Sequence, residues 1–254
     1  MAAEDGGIIL PMNTLRVATY NIHKGVQGLG PARRLEIHNL VHAVEQFDAD
    51  LVCLQEVRGA NRKMQRVFRH WPAEGQANFL SPEGYQAVYR TNAVTRHGDH
   101  GNALLSRWPV LAEQHHDVSD HRFEQRGLLH VTVEAHGQPV HVVVVHLGLI
   151  HASRERQVQA LGRFVEAHVP RGEPLIVAGD FNDWEARLHR PMAGLGLRTF
   201  DDIRLPTFPA RLPLLNLDRV YVRGLRPLHA QVPHGRAWRR MSDHLPLIAE
   251  LAWE

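Results

Sequence analysis

Short apolar runs rich in Val, Leu and Ile recur along the chain, each bounded by Gly, Pro, Asn or charged residues. Runs of this length predict buried β-strands rather than helices. Examples are residues 15–20, 50–57, 140–146 and 175–178, with helical spacing over 31–47 and 154–168 between them. Roughly eight strands mixed with a few helices, some of them hairpin neighbours, predict an α/β fold with mixed sheets rather than one purely parallel sheet.

The composition is that of a globular protein, with 254 residues, 44% hydrophobic and 22% charged. A chain of this length can bury one large core. We expect a tail over residues 1–13 and one domain over 14–254. Cys53 is the sole cysteine and lies in an apolar run, which excludes an internal disulfide and predicts a buried thiol.

The N-terminus carries Glu4 and Asp5 where a secretion signal would carry positive charge. The apolar runs are also far shorter than the ~20 residues that cross a bilayer. We therefore expect a cytoplasmic protein, and a monomer. The net charge of +2 gives mild support to an anionic partner.

Polar residues able to bind metal or move protons collect at the ends of the predicted strands. A strand-end rim can focus such side chains on one ligand, whereas they would be costly in the interior. Each has a plain alternative when taken alone, such as a helix cap or an Asx turn. The set comprises Asn21, Glu56, His146, Asp180, Asn182, Asp243 and His244, with Asp218 placed to orient an imidazole.

Taken together and in order, these residues resemble the endonuclease/exonuclease/phosphatase superfamily of metal-dependent phosphodiesterases. The matching motifs span almost the whole chain. They are Thr19-Tyr20-Asn21-Ile22, Leu54-Gln55-Glu56-Val57, Gly101-Asn102-Ala103-Leu104-Leu105-Ser106, His146-Leu147, Arg154 with Gln157, Gly179-Asp180-Phe181-Asn182, Leu217-Asp218-Arg219-Val220 and Ser242-Asp243-His244-Leu245-Pro246.

The resemblance implies a four-layer α/β sandwich of the DNase I type, with two packed mixed sheets flanked by helices. It also implies a divalent cation, normally Mg²⁺ with Mn²⁺ as a substitute, which suits a set of oxygen donors. In that reading Glu56, Asn21 and Asp243 are metal ligands. The implied catalytic residues are His146, Asp180, Asn182, Asp218 and His244. Whether Asp180 or His244 accepts the proton stays open.

One motif position departs from the apurinic endonucleases, which carry an acidic residue where this chain has His23. This disfavours a repair endonuclease. The segment from Asn21 to Gly25 instead resembles a bacterial branch whose substrates the motif does not define.

Candidate substrate contacts are Asn102, Arg154, Trp238 and Arg239. Trp238 among arginines fits a substrate-stacking loop or a core tryptophan equally well, and Arg154 fits a phosphate contact or a helix anchor. A basic helical face fits a solvated surface better than a phosphate track. That face consists of Arg62, Lys63, Arg66 and Arg69.

The expected function is metal-dependent phosphodiester hydrolysis by in-line attack of water, with nucleic acid favoured over phospholipid as substrate. The alternatives within the hydrolases are a phospholipid or sphingomyelin-type phosphodiesterase and a phosphatase on a small phosphorylated molecule. A non-catalytic nucleic-acid-binding module is the alternative of another class. The carboxylates Glu56, Asp180 and Asp243 disfavour it, because carboxylates repel phosphate unless a metal intervenes.

Overall fold

The computed structural model describes residues 14–200 and 204–254, and the predicted N-terminal tail lies outside them. Alternating side chains along the strands build two mixed sheets that share one apolar layer. This is the α/β sandwich with flanking helices that the family resemblance implies.

The first sheet has six strands in the order β12-β13-β1-β4-β6-β5, with β1 and β4 parallel and the other neighbours antiparallel. Its strands are β1 (Thr14–Asn21), β4 (Leu51–Val57), β5 (Gln86–Thr95), β6 (Gly98–Ser106), β12 (Leu225–Gln231) and β13 (Leu247–Trp253).

The second sheet has five strands in the order β11-β10-β9-β8-β7, with β9 and β10 parallel and the others antiparallel. Its strands are β7 (Val110–Asp117), β8 (Gly127–Ala135), β9 (Gln138–His146), β10 (Leu175–Asp180) and β11 (Asp218–Arg223). A small ribbon pairs β2 (Val26–Gln27) with β3 (Arg34–Leu35).

The core lies in three layers because successive strand residues point to opposite faces. In β1, Val17 faces the shared layer between the sheets, whereas its neighbour Ala18 faces the helices outside the first sheet. In β9, Val144 faces the shared layer and Val145 faces the helices outside the second. Both faces of each sheet are therefore covered, which explains the nearly continuous apolar strands. Cys53 is buried in the shared layer as predicted.

Helices cover the outer faces of both sheets. α1 (Ile37–Phe47), α3 (Gln76–Leu80) and α6 (Trp238–Met241) contribute to the cluster on the first sheet. α4 (His151–His168) and α5 (His189–Gly194) contribute to the cluster on the second, and α2 (Arg62–Val67) follows β4. No helix among the described residues is long and apolar enough to span a bilayer.

Strand register brings the polar strand ends together. Asp180 ends β10 and pairs with His146 of β9 on one side and with Asp218 of β11 on the other. In the first sheet, Asn21 at the end of β1 pairs with Gln55, the residue before Glu56. The site therefore forms where strands from both sheets end.

The structure differs from the sequence prediction at several elements. The helix predicted over 31–47 begins only at Ile37, because residues 30–35 form a 3-10 turn and β3. The region 72–84, predicted as loop, contains α3. The described residues form thirteen strands rather than about eight, and β7 and β12 are edge strands that the patterns missed.

Candidate active site

Asp180 lies at the centre of the candidate site, buried at the end of β10. Its Oδ2 accepts a hydrogen bond from Nδ2 of Asn21 at 3.1 Å. The same oxygen lies 3.5 Å from Nε2 of His146 and 3.6 Å from Nε2 of His244. Its Oδ1 accepts a hydrogen bond from the backbone N–H of Asn182 at 3.0 Å. Burial raises the pKa of Asp180 to about 6, against the lowering effect of His244, so this carboxyl changes its protonation near neutral pH.

His244 is held by a second buried carboxylate. Its Nδ1 donates a hydrogen bond to Oδ2 of Asp218 at 2.8 Å. Burial alone would lower the pKa of His244, but the negative charges of Asp218 and Asp180 raise it to about 10. The imidazole is therefore a cation at neutral pH, with an N–H directed toward Asp180.

His146 provides a contrasting imidazole beside the same oxygen of Asp180. Burial, and then the positive charge of Arg126, hold the pKa of His146 well below its usual value. The site thus contains one cationic and one neutral histidine beside the same carboxylate. Titratable groups whose environments push their pKa values apart are typical of acid and base roles.

Another part of the cavity wall carries the three residues predicted to bind metal, namely Asn21, Glu56 and Asp243, and Asn21 joins it to Asp180. Nζ of Lys24 lies 2.6 Å from Oε2 of Glu56, and Nδ1 of His23 lies 3.1 Å from Oδ2 of Asp243. Oδ1 of Asn21 accepts a hydrogen bond from the backbone N–H of His23 at 3.1 Å. Two adjacent basic residues therefore face this oxygen-rich wall.

Both carboxylates on this wall are ionised at neutral pH. Burial would raise the pKa of Glu56, but the charge of Lys24 and its hydrogen bond to the carboxylate lower it to about 2. Burial likewise opposes ionisation of Asp243, and a hydrogen bond with His23 lowers the pKa of that carboxyl below its usual range. Ionised carboxylate and amide oxygens are the donors that Mg²⁺ prefers, so Glu56, Asp243 and Asn21 fit a divalent cation.

A second group of donor atoms lies close enough to hold a metal. One ligand atom from each of Asp180, Asp218 and His244 falls within 4.8 Å of the others. The raised pKa of His244 opposes this use, because a protonated imidazole offers no lone pair to a metal. Glu56, Asp243 and Asn21 therefore stay the predicted metal ligands.

Unusual backbone geometry occurs in this cavity and beside it. His23, Lys24, Glu56 and Asn182 all have positive φ angles although none is glycine, a conformation that is costly and often found at functional sites. A β-bulge between β4 and β6 accompanies Glu56 and re-aims its side chain. Gly179 approaches β9 so closely that a Cβ atom there would lie 1.9 Å from the carbonyl oxygen of Val145. Only glycine fits before Asp180.

The cavity is also lined by four residues that the sequence patterns did not indicate. They are Arg126, Leu149, Trp184 and Phe208. Arg126 donates from Nε to the carbonyl oxygen of Leu147 at 3.1 Å and pairs with Glu124. The short loops that carry these residues offer no periodic pattern, and Arg126 is one arginine among many in the sequence. Its position just before β8 is the one sequence feature that could have indicated a place in the cavity.

The structure does not bring the four predicted substrate contacts into this cavity. Asn102 is buried and donates to the carbonyl oxygens of Gly127 and Val144, which ties the first sheet to the second. Arg154 is buried and donates to the carbonyl oxygens of Gly148 and Leu149. These hydrogen bonds hold strands and a cavity-lining loop in place.

Trp238 stacks on Phe47 with ring centroids 5.9 Å apart, and it packs against the core. Arg239 is exposed on α6. Of the two alternatives stated for Trp238, the contacts observed are those of a core tryptophan. Substrate contact by any of these four residues stays a prediction.

Most of the chain matches one known protein family. The family model described as "Endonuclease/Exonuclease/phosphatase family" matches residues 18–244. The chain belongs to the endonuclease/exonuclease/phosphatase family. Members of this family are phosphoester hydrolases, and the strand-end cluster around Asp180 lies within the matched residues.

Relatives within the family extend over nearly the whole chain. The uncharacterized protein YbhP of Escherichia coli K12 is 39% identical over 251 residues, covering 94% of this chain and 96% of YbhP. The structure of a family member from Beutenbergia cavernae superimposes with a TM-score of 0.76 at 22% identity, covering 95% of this chain and 72% of that one. Sphingomyelinase C of Listeria ivanovii is 26% identical over 150 residues, covering 52% of this chain and 45% of that protein.

Proposed function

We propose that this family member is a divalent-metal-dependent phosphodiesterase that cleaves nucleic acid by in-line attack of water. The observation that carries the proposal is the convergence on Asp180. Its Oδ2 faces Asn21, His146 and His244 within 3.6 Å, in the cavity that also contains Glu56 and Asp243.

Asp180 is the residue that holds and deprotonates the attacking water in this proposal. Its pKa of about 6 suits a base that works near neutral pH. His244 is already protonated, because its pKa is about 10, so it cannot accept the proton. It acts instead as a fixed positive charge for a phosphate oxygen, and Asp218 keeps it charged and oriented.

His146 and Asn182 complete the positioning of Asp180. The neutral imidazole of His146 can donate one hydrogen bond to the carboxylate or to the water beside it. Asn182 donates its backbone N–H to Asp180 and its side-chain amide to the carbonyl oxygen of Leu147 at 2.9 Å. The carboxylate is thereby fixed before substrate arrives, which reduces reorganisation in the transition state.

Glu56, Asp243 and Asn21 would hold the metal, which we propose to be Mg²⁺ with Mn²⁺ as a substitute. A bound divalent cation supplies positive charge to the non-bridging phosphate oxygen and to the leaving oxygen. Its identity as magnesium rests on the all-oxygen donor set of this wall.

The nucleic-acid preference rests on the mouth of the cavity. Arg126, whose guanidinium also pairs with Glu124, lines it, and the indole of Trp184 is 45% exposed there. The guanidinium of Arg154 lies 4.9 Å from the centroid of that indole and supports it from one side. An exposed aromatic face beside a positive charge suits a stacked base next to a phosphate.

A phospholipid is the second candidate substrate, and a different feature of the mouth favours it. Leu149, which lines the cavity, and its neighbour Ile150 are more than half exposed. Leu212 and Leu214 are 65% and 62% exposed on the loop that follows the cavity residue Phe208. Exposed apolar side chains around a site fit a lipid surface, and the similarity to a sphingomyelinase agrees with this reading.

A substrate panel tests the proposal. Purified protein is incubated with Mg²⁺, Mn²⁺ or EDTA and with supercoiled plasmid, end-labelled single strands, sphingomyelin vesicles or bis(4-nitrophenyl) phosphate. We expect metal-dependent cleavage of the nucleic acids and of the chromogenic diester, lost in Asp180→Asn and retained in the exposed control Glu45→Gln. Cleavage of vesicles alone would favour the second candidate, and inertness toward all four would overturn the proposal. Monomeric state and cytoplasmic location remain predictions of the sequence.

A further inference from the structure

A second cavity, of about 320 Å³, has only basic groups among its ionisable lining residues. We call it the basic cavity. The basic residues that line it are His23, Lys24, Arg33, Arg58, Lys63 and His97. They come from the segment after β1, from the turn before α1, from the residue after β4, from α2 and from the β5–β6 turn. Separate parts of the chain thus direct positive charge into one hollow.

The basic cavity shares a wall with the catalytic cavity. His23 and Lys24 line the basic cavity, and each contacts a predicted metal ligand that lines the catalytic one. Lys24 contacts Glu56 at 2.6 Å and His23 contacts Asp243 at 3.1 Å. The two cavities are therefore adjacent, with His23 and Lys24 between them.

Within the described residues, the positive charges of this hollow are only partly offset, by the contacts of Lys24 with Glu56 and of His23 with Asp243. Among residues 14–200 and 204–254, no ion pair involves Arg33, Arg58 or Lys63. Some other arginines do have such partners, as Arg107 has Asp48 and Asp50. Like charges gathered without counter-charges repel each other, and an anionic ligand would relieve that repulsion.

One nitrogen of the Arg58 side chain lacks a hydrogen-bond acceptor. Its Nη1 is buried, yet within the described part of the chain it has no hydrogen-bond acceptor. The guanidinium lies 5.7 Å from the ring centroid of Trp71, which restrains it on one side. A buried donor without an acceptor is rare and calls for an explanation, and an anion in this cavity would supply the acceptor.

We propose that the basic cavity binds a second phosphate group of the substrate, one that is not cleaved. The inference rests on the proposed phosphodiesterase function and narrows its substrate class to molecules with more than one phosphate. Arg33, Arg58 and Lys63 contact the second phosphate, while the scissile phosphate lies beside Asp180. A substrate whose only other charged group is a quaternary ammonium is disfavoured, because that cation would meet the positive charges of this cavity.

A pair of chromogenic substrates that differ by one phosphate tests the inference. They are the 5′-(4-nitrophenyl) ester of thymidine 5′-phosphate and the same ester of thymidine 3′,5′-bisphosphate. We expect wild type to have a KM at least roughly tenfold lower for the bisphosphate, because a single charge-assisted contact of this kind is worth about a factor of ten. In Arg33→Gln/Lys63→Gln, which keeps Arg58, that ratio should fall at least roughly threefold.

Arg66→Gln is the matched control, because Arg66 is an exposed arginine of α2 that does not line the basic cavity. It should keep the wild-type KM ratio. An equal KM for the two esters in wild type, or an equal ratio in the double variant and wild type, would overturn the inference while leaving phosphodiesterase activity intact.

Two further experiments complete the test. The first asks whether the second phosphate must belong to a nucleic acid, and the second measures binding without cleavage. A second ester pair built on glycerol distinguishes a general bisphosphate site, where both pairs show the effect, from a nucleic-acid strand site, where the thymidine pair alone does. Both results support the inference. Equilibrium dialysis of thymidine 3′,5′-bisphosphate against thymidine 5′-monophosphate measures binding even if no ester is cleaved. Equal affinities in that assay would again overturn it, whereas inertness toward every ester would overturn only the proposed function.

Discussion

Nδ1 of His244 donates a hydrogen bond to Oδ2 of Asp218 at 2.8 Å, and both side chains are buried. A buried imidazole without such a partner would lose its proton readily, as the lowered pKa of His146 illustrates. The Asp218 charge is therefore what makes His244 a permanent cation beside Asp180. The two histidines differ in charge because only one of them has this carboxylate.

Asp218→Asn should reduce activity most on the alkaline side. In wild type His244 keeps its proton up to a pKa of about 10, so kcat/KM should be nearly flat from pH 7 to 9. Without the Asp218 charge the pKa of His244 falls toward or below its usual value, and the cation is lost as the pH rises through that lower pKa. We expect roughly a 100-fold loss at pH 8.

The check is a pH–rate profile on bis(4-nitrophenyl) phosphate, together with an NMR titration of the His244 imidazole in both proteins. An alkaline limb at the same pH in the variant and in wild type would contradict the role given to Asp218.

Protonation of Asp180 should define the acidic limb of the profile. Burial raises the pKa of this carboxyl to about 6, and the proposed role requires the ionised form, which is present above that pH. Activity should therefore fall about tenfold for each pH unit below 6, and Asp180→Asn should lose about 10³-fold above pH 6, where the wild-type carboxylate is ionised. The check is to measure kcat/KM from pH 4.5 to 8 for wild type and Asp180→Asn, with Glu45→Gln as control. Full activity at pH 5 would show that a different group accepts the proton.

Lys24 and a divalent cation compete for Glu56. The ammonium lies 2.6 Å from Oε2 of that carboxylate, so a metal must displace it or share the oxygen with it. Lys24→Met removes a like charge and should tighten Mn²⁺ binding about tenfold, measured by isothermal titration calorimetry. Lys63→Met is the matched control, because Lys63 makes no contact with Glu56 and is the other lysine of the chain. Unchanged or weaker Mn²⁺ binding in Lys24→Met would refute the competition.

Gly179→Ala should destabilise the fold because of the close packing of β10 on β9. A Cβ atom there would lie 1.9 Å from the carbonyl oxygen of Val145, which forces the two central strands apart. We expect a loss of about 3 kcal/mol in the free energy of unfolding. Gly172→Ala is the control, since a Cβ atom at that residue would have nothing within 4 Å. Urea denaturation that ranks the two variants as equally stable would refute this packing argument.

The central strands were predictable from the sequence, and the edges were not. β9 is apolar on both faces because helices cover one side of its sheet and the other sheet covers the second. The edge strand β7 exposes most of its residues, and the edge strand β12 contains Pro227. Such strands lack the apolar pattern that identifies a strand in the sequence, so both were missed.

The catalytic cavity was predictable where the residues follow strands in recognisable motifs. Asp180, His146 and His244 come together because the register of β9, β10 and β11 aligns their strand ends. The Lys24 to Glu56 contact was not predictable, because it joins residues far apart in sequence through two positive-φ positions. The packing of Trp238 on Phe47 likewise depends on tertiary structure alone.

The most direct test of a metal-dependent phosphodiesterase site is one comparison of wild type with Glu56→Gln. Hydrolysis of bis(4-nitrophenyl) phosphate and Mn²⁺ binding are measured on the same preparations, with Glu45→Gln as control. We expect Glu56→Gln to fold normally, to lose measurable Mn²⁺ affinity and to lose at least roughly 100-fold of its metal-dependent activity. Near-normal metal-dependent hydrolysis by Glu56→Gln would contradict the account.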